Sequence, residues 1–165
     1  MQEHRPRWHL LGRPAATEDD LPPLGALHEL LRHVGLLRLR HGVLTPTRAA
    51  GDDLAVVRRL RSAFGPNTFG TEITELTVGV LAAHGPIDRQ QLARRVHQLL
   101  GWAWQRAGQP VTESDVKIAI AQQSRVMRGL DLIDDTNRHS WTVGASARSL
   151  LPRAGMLAEI LTNDE

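Results

Sequence analysis

GLLRLRHGVLT, residues 35–45, and GLDLIDDTNRHSWTV, residues 129–143, follow one pattern. Each opens on Gly-Leu directly after a stretch whose apolar residues recur at helical spacing. In the first copy the helix runs from Leu24 to Val34. Leu24, Leu27, Leu30, Leu31 and Val34 form one stripe, and His28, Glu29, Arg32 and His33 lie opposite. Leu37 and Leu39 then alternate with Arg38 and Arg40, and this period of two predicts a strand with leucines on the core and arginines in solvent. His41-Gly42 suits a two-residue turn, because glycine readily takes the positive φ such turns need, and Val43-Leu44-Thr45 returns. In the second copy the helix spans Val116 to Arg128, and Gly129 to Ile133 leads into a turn over 134–139. Ser140 to Val143 returns with Trp141 facing inward. A helix feeding a two-stranded hairpin, twice, predicts a mainly α chain with short β-hairpins, of the α+β class.

The flanking segments fill in the organisation. Residues 1–23 carry prolines and the acidic Glu18-Asp19-Asp20 without periodicity, and read as an irregular arm with Trp8, Leu10 and Leu11 pinned to the body. Asp52 or Asp53 caps a helix through Leu54, Val57 and Leu60 to about Ala63, so 24–64 form a partial helix–hairpin–helix unit. Phe64 to Gly70 is a loop; Gly65 and Gly70 have phosphate-loop spacing, but Thr71 stands where such a loop needs lysine and no strand precedes it. Thr71 to His84 forms a helix burying Ile73, Leu76, Val80 and Leu81, ended by Gly85-Pro86.

Asp88 caps a further helix with Leu92, Val96, Leu99, Leu100 and Ala103 on one face; it ends at Gly101 or continues to Ala107 with Gly108 as its C-cap, and the apolar spacing that runs on past Gly101 favours the longer version. Thr112 and Asp115 form a capping box for the next helix, which turns Val116, Ala119, Ile120, Val126 and Met127 inward. Residues 71–146 thus make a complete helix–helix–helix–hairpin domain. The last segment, 147–165, is a helix interrupted at Pro152, with Leu150, Leu151, Met156, Leu157 and Ile160 needing burial on the body or in a second subunit.

The chain has 165 residues, a formal net charge of +2 and no cysteine, which excludes disulfides, thiolate metal sites and thiol nucleophiles. No run approaches the roughly 18 apolar residues of a membrane span, and a cytoplasmic protein is expected. The pI of 10.3 overstates the positive charge. With a single lysine (Lys117) and no tyrosine, little titrates above the histidines, so a small excess of arginine lifts the pI. Charge by segment says more: residues 24–64 carry seven arginines against three acids, whereas 111–165 carry six basic residues against eight acids. His28 and His33 are five apart and have no carboxylate to complete a metal site. Ser146 lacks the second glycine of a nucleophile elbow and reads as a helix cap. Trp102, Trp104 and Trp141 read as packing residues. No acid–base dyad or cofactor loop emerges; neither catalysis nor a cofactor is expected.

On element order and apolar spacing, residues 71–143 resemble the winged helix-turn-helix superfamily, with the partial unit preceding the complete one. The run Gly35 to Thr45 also resembles hairpins of actinobacterial winged-helix proteins and plasmid-encoded winged-helix-like proteins. The resemblance implies double-stranded DNA as partner, as for a transcriptional regulator, with the third helix in the major groove and the wing on the backbone. Carried onto this chain, the third helix presents Ser114, Lys117, Ala121, Gln122, Arg125 and Arg128. Lysine and arginine suit phosphate or guanine, and glutamine suits adenine. Arg38, Arg40 and Arg48 add phosphate contacts from the first unit, with the Arg58-Arg59-Arg61 cluster behind them. Glu113 and Asp115 at the start of the third helix, and Asp131, Asp134 and Asp135 around the second wing, oppose DNA. They support the alternative of a protein-interaction module without nucleic-acid binding. The apolar C-terminal helix offers a homodimer contact in either case.

Overall fold

The computed structural model describes residues 22–65, 68–100, 103–135, 137 and 140–163. Trp8, Leu10, Leu11, Trp102, Arg138 and His139 lie outside the described residues.

Helix α3 (Phe69–His84) carries an apolar or threonine side chain at most positions, and Ile73, Thr74, Thr77, Val78, Val80 and Leu81 are all buried. A helix apolar on nearly every side must be surrounded. Helices α4 (Arg89–Leu100), α5 (Glu113–Gly129) and α7 (Pro152–Asn163) do so. Thr68 caps α3 through its hydroxyl, so the helix starts two residues earlier than expected, inside the Phe64–Gly70 segment. Gly85 ends it, as expected. Asp88 caps α4 by accepting from the Gln90 and Gln91 N–H groups (2.8 and 3.0 Å).

Helix α4 is described as far as Leu100 and does not reach Ala107. Beyond it, β3 (Gln105–Arg106) and β4 (Gln109–Pro110) form a two-residue hairpin around Ala107-Gly108. Both turn residues have positive φ, 52° and 78°, the pattern of a type I′ turn. Gly108 is therefore a turn residue and no helix cap, and Ala103 and Leu99 are exposed. Trp104 packs edge-to-face on Phe69, with ring centroids 5.4 Å apart. The Thr112–Asp115 capping box opens α5 as expected.

Helix α1 (Pro22–His33) leads through Gly35-Leu36 into β1 (Leu37–Arg40) and β2 (Val43–Pro46), paired around the His41-Gly42 turn (φ 51° and 78°). Helix α5 leads likewise into β5 (Ile133–Asp134) and β6 (Thr142–Val143). The two copies do not align on their Gly-Leu pairs. Gly35 takes the left-handed conformation just past α1, at φ 70°, while Gly129 remains inside α5 and Asp131 takes that conformation instead, at φ 54°. The Leu36 N–H donates to the Leu31 carbonyl and the Leu132 N–H to the Met127 carbonyl, both at 2.8 Å, the long bond of a helix-ending Schellman turn. Each leucine carbonyl then accepts from the residue closing its hairpin, Thr47 at 2.9 Å and Gly144 at 2.8 Å. Leu36 and Leu132 are the equivalent positions.

The repeat also runs further than the hairpins. A 3-10 turn (Arg48–Gly51) and α2 (Asp53–Ala63) follow the first, and α6 (Ala147–Leu150) and α7 follow the second. Asp52 caps α2 by accepting from the N–H groups of Leu54 and Ala55.

The two units share one core. Leu36 and Leu60 join a continuous buried cluster with the side chains of α3, α4 and α5. Helix α1 crosses α5 at Gly129, where a β-carbon would lie 3.0 Å from the Pro23 carbonyl oxygen and 3.1 Å from Leu27 Cβ. Arg61 joins the units by donating to the Ser149 carbonyl at 2.7 and 2.9 Å. Helix α7 lays Ala154 and Leu157 on α3, leaving Met156 and Ile160 57% and 58% exposed. The architecture is mainly helical with short antiparallel hairpins. No helix among the described residues is long and apolar enough to cross a membrane.

Candidate nucleic-acid interface

The outward side of α5 is set by the residues it buries. Val116, Ala119, Ile120, Ser124 and Met127 face the body, so helical geometry turns Ser114, Lys117, Ala121, Gln122 and Arg125 into solvent, and all five are exposed. Ile118, 53% exposed, shares that side. It escapes a sequence reading that assigns isoleucines to cores, yet it is set between Ser114 and Arg125 by spacing alone. Lys117 and Arg125 have no ion pair among the described residues.

Arg128 departs from the expected stripe. Its Nη2 lies 2.6 Å from Asp135 Oδ2, and its guanidinium sits 5.9 Å from the Trp141 ring centroid. Arg89 approaches the same groups, 3.9 Å from Asp135 and 4.9 Å from the Trp141 ring. Asp135 and buried Trp141 thus gather two cations and tie the second hairpin to α4 and α5. Arg128 is thus engaged by Asp135 and Trp141, whereas Lys117 and Arg125 stand open on the same helix.

The acids that oppose DNA are largely partnered. Asp115 Oδ2 accepts from the Thr112 hydroxyl (2.6 Å) and N–H (3.0 Å), and Arg106 donates to Asp115 Oδ1 at 2.8 Å. The Thr112 hydrogen bonds, then that from Arg106, hold this carboxyl below the usual aspartate value. Arg94 lies 3.9 Å from Glu113, and Asp135 is held by Arg128 and Arg89. These carboxylates project less uncompensated charge than the sequence count suggests.

In the first unit Arg38, Arg40 and Arg48 are exposed and unpaired among the described residues. The register pairs Arg38 with Thr45 and Arg40 with Val43, so both arginines leave the same face of the hairpin. The opposite face is less buried than expected. Leu37 is half-buried, but Leu39 is 50% exposed, because no element among the described residues closes over the hairpin tip. Arg59 belongs to the fold instead, its Nη1 donating to the Val34 and Gly35 carbonyls at 2.9 and 3.1 Å.

Arg38 and Val126 line a common open groove of about 740 Å³ between α1, β1 and α5. Gln122 and Arg125 sit within one turn of Val126 on α5, next to the wall that α5 gives this groove. Among the described residues, no three His, Asp or Glu side chains converge as a metal site requires. No protein-family model matches the chain, and neither a characterised protein nor a solved structure shows significant similarity to it.

Proposed function

We infer that the chain is a winged-helix protein that binds double-stranded DNA, as a transcriptional regulator does, with α5 in the major groove and the β1–β2 hairpin on the backbone. The observation that carries this is the sorting of cations. Arg59, Arg61, Arg89, Arg106 and Arg128 are each bound to a carbonyl or carboxylate of the fold. Arg38, Arg40, Lys117 and Arg125 are left open on the first hairpin and α5, as are Arg32, Arg48, Arg58 and Arg148 on other elements. Element order supports the same reading: Ile87, between α3 and α4, makes an isolated antiparallel bridge to Trp141, just before β6 of the β5–β6 hairpin. A third helix so placed before a wing reads base edges in winged-helix proteins. Gln122 would face adenine and Arg125 guanine or phosphate, with Ser114 and Lys117 on backbone oxygens.

Titration of duplex DNA by fluorescence anisotropy at several salt concentrations tests the reading. Binding that weakens steeply with salt is expected, since each neutralised phosphate releases counterions. Affinity indifferent to salt, or no better than that of a neutral control protein, refutes it.

A second reading, association through α7, rests on Met156 and Ile160, exposed and one helical turn apart. Light scattering on the full chain and on its Met156→Glu, Ile160→Glu variant decides it; identical monomeric masses for both refute a dimer through this face.

A further inference from the structure

The β1–β2 hairpin has two edges of different character. The two-residue turn makes Arg40 and Val43 the first hydrogen-bonded pair, and antiparallel pairing then alternates along the ladder. Arg38 with Thr45 is the next bonded pair, followed by Leu36 with Thr47 at 2.9 Å. The N–H and C=O groups of Leu37 and Leu39 therefore point away from β2. Among the described residues none of these four groups has a backbone partner. On the other edge Pro46 supplies no N–H, which blunts β2 in the way natural edges are protected. Among the described residues the edge of β1 has no such guard, and Leu37, Arg38 and Leu39 of that strand line the groove together with Leu30 and Val126.

We propose that the β1 edge and this groove form a docking site for an extended, acidic segment of another protein, added as a third strand beside Leu37–Arg40. Strand addition uses the open backbone groups for affinity and alternate side chains for selection. An apolar residue at every second position would rest on Leu30 and Val126. The rim carries Arg32 and Arg38 against the single acid Glu29, with Arg40 next along the strand, so carboxylates suit the intervening positions. A second copy of this chain is a poor occupant. Antiparallel pairing of β1 with itself, centred on Arg38 or Leu39, would set Arg38 opposite the Arg38 or Arg40 of the other copy, and like charges facing across strands destabilise a pair. The site does not depend on DNA binding.

The full chain is titrated with a fluorescein-labelled hexapeptide alternating glutamate and valine, and amide exchange is followed at Leu37 and Leu39 by NMR. The expected result is slowed exchange at those two amides, and binding about tenfold tighter than that of a hexapeptide alternating lysine and valine. Leu39→Pro removes one edge donor without touching the ladder and should abolish binding. Val126→Glu, which leaves the strand intact, should weaken the acidic peptide. Equal affinity for both peptides, no binding, or protection elsewhere overturns the proposal. So does protection of Leu37 and Leu39 that grows with protein concentration alone, which would mean a second copy, or that appears only with duplex DNA, which would mean a nucleic-acid edge.

Discussion

Glu75 and Asp115 hold carboxylates whose surroundings push in opposite directions. Glu75 is largely enclosed between α3 and α7, and burial raises its pKa above the ordinary 4.5, opposed by Arg153 at 3.6 Å and reinforced by Glu72. A folded state that keeps its proton at higher pH than the unfolded chain loses stability as pH rises through that window. Glu75→Gln is therefore expected to raise the melting temperature at neutral pH, with the gain shrinking to nothing below pH 4.5. Asp115 is the reverse, its carboxyl held below the ordinary 3.8 by the Thr112 and Arg106 hydrogen bonds. That contribution is complete above the unfolded value and is lost as pH falls through the folded one. Asp115→Asn should lower stability at neutral pH and converge with the parent in strong acid. Thermal melts across an acid series distinguish the two; parallel curves for either variant would contradict its assignment.

Turns and caps divide the elements into those readable from neighbouring residues and those that are not. Asp52, Asp88, the Thr112–Asp115 box, Gly85-Pro86 and the break at Pro152 act within four residues along the chain, and each was legible as local chemistry. The end of α4 is ambiguous between Gly101 and Ala107 in the sequence, because Ala103 carries the apolar spacing past Leu100, and Ala-Gly is a weak hairpin signal beside Asn-Gly. The offset between the repeats was hidden for a related reason: Asp131 occupies the left-handed site where glycine is the usual marker. Ala107 likewise holds a positive φ at some cost to an alanine. Ala107→Asn should relieve part of it and stabilise the chain by about 0.5–1 kcal/mol, read from urea unfolding. A destabilised Ala107→Asn variant would argue against a type I′ turn there.

Which arginines remain open is a property of the folded chain, and composition does not disclose it. Arg125 and Arg128 lie three residues apart on one helix, yet only Arg128 meets Asp135 and Trp141, from a hairpin formed later in the chain. Arg38 and Arg40 belong to a different unit from Lys117 and Arg125, and the packing of α1 on α5 brings the first hairpin alongside. If one duplex lies across both, their contributions to salt dependence add on a single binding event. Each phosphate contact contributes about 0.9 to the slope of log affinity against log salt. Neutralising Arg38 and Arg40 to glutamine should lower the slope by about 2, Lys117 and Arg125 by about 2, and all four by about 4. Arg128→Gln should leave the slope unchanged and instead cost about 1 kcal/mol of stability, because Asp135 loses its closest cation. A slope that responds to one pair alone would confine the interface to that unit. A slope that falls with Arg128→Gln while stability holds would return Arg128 to the DNA face.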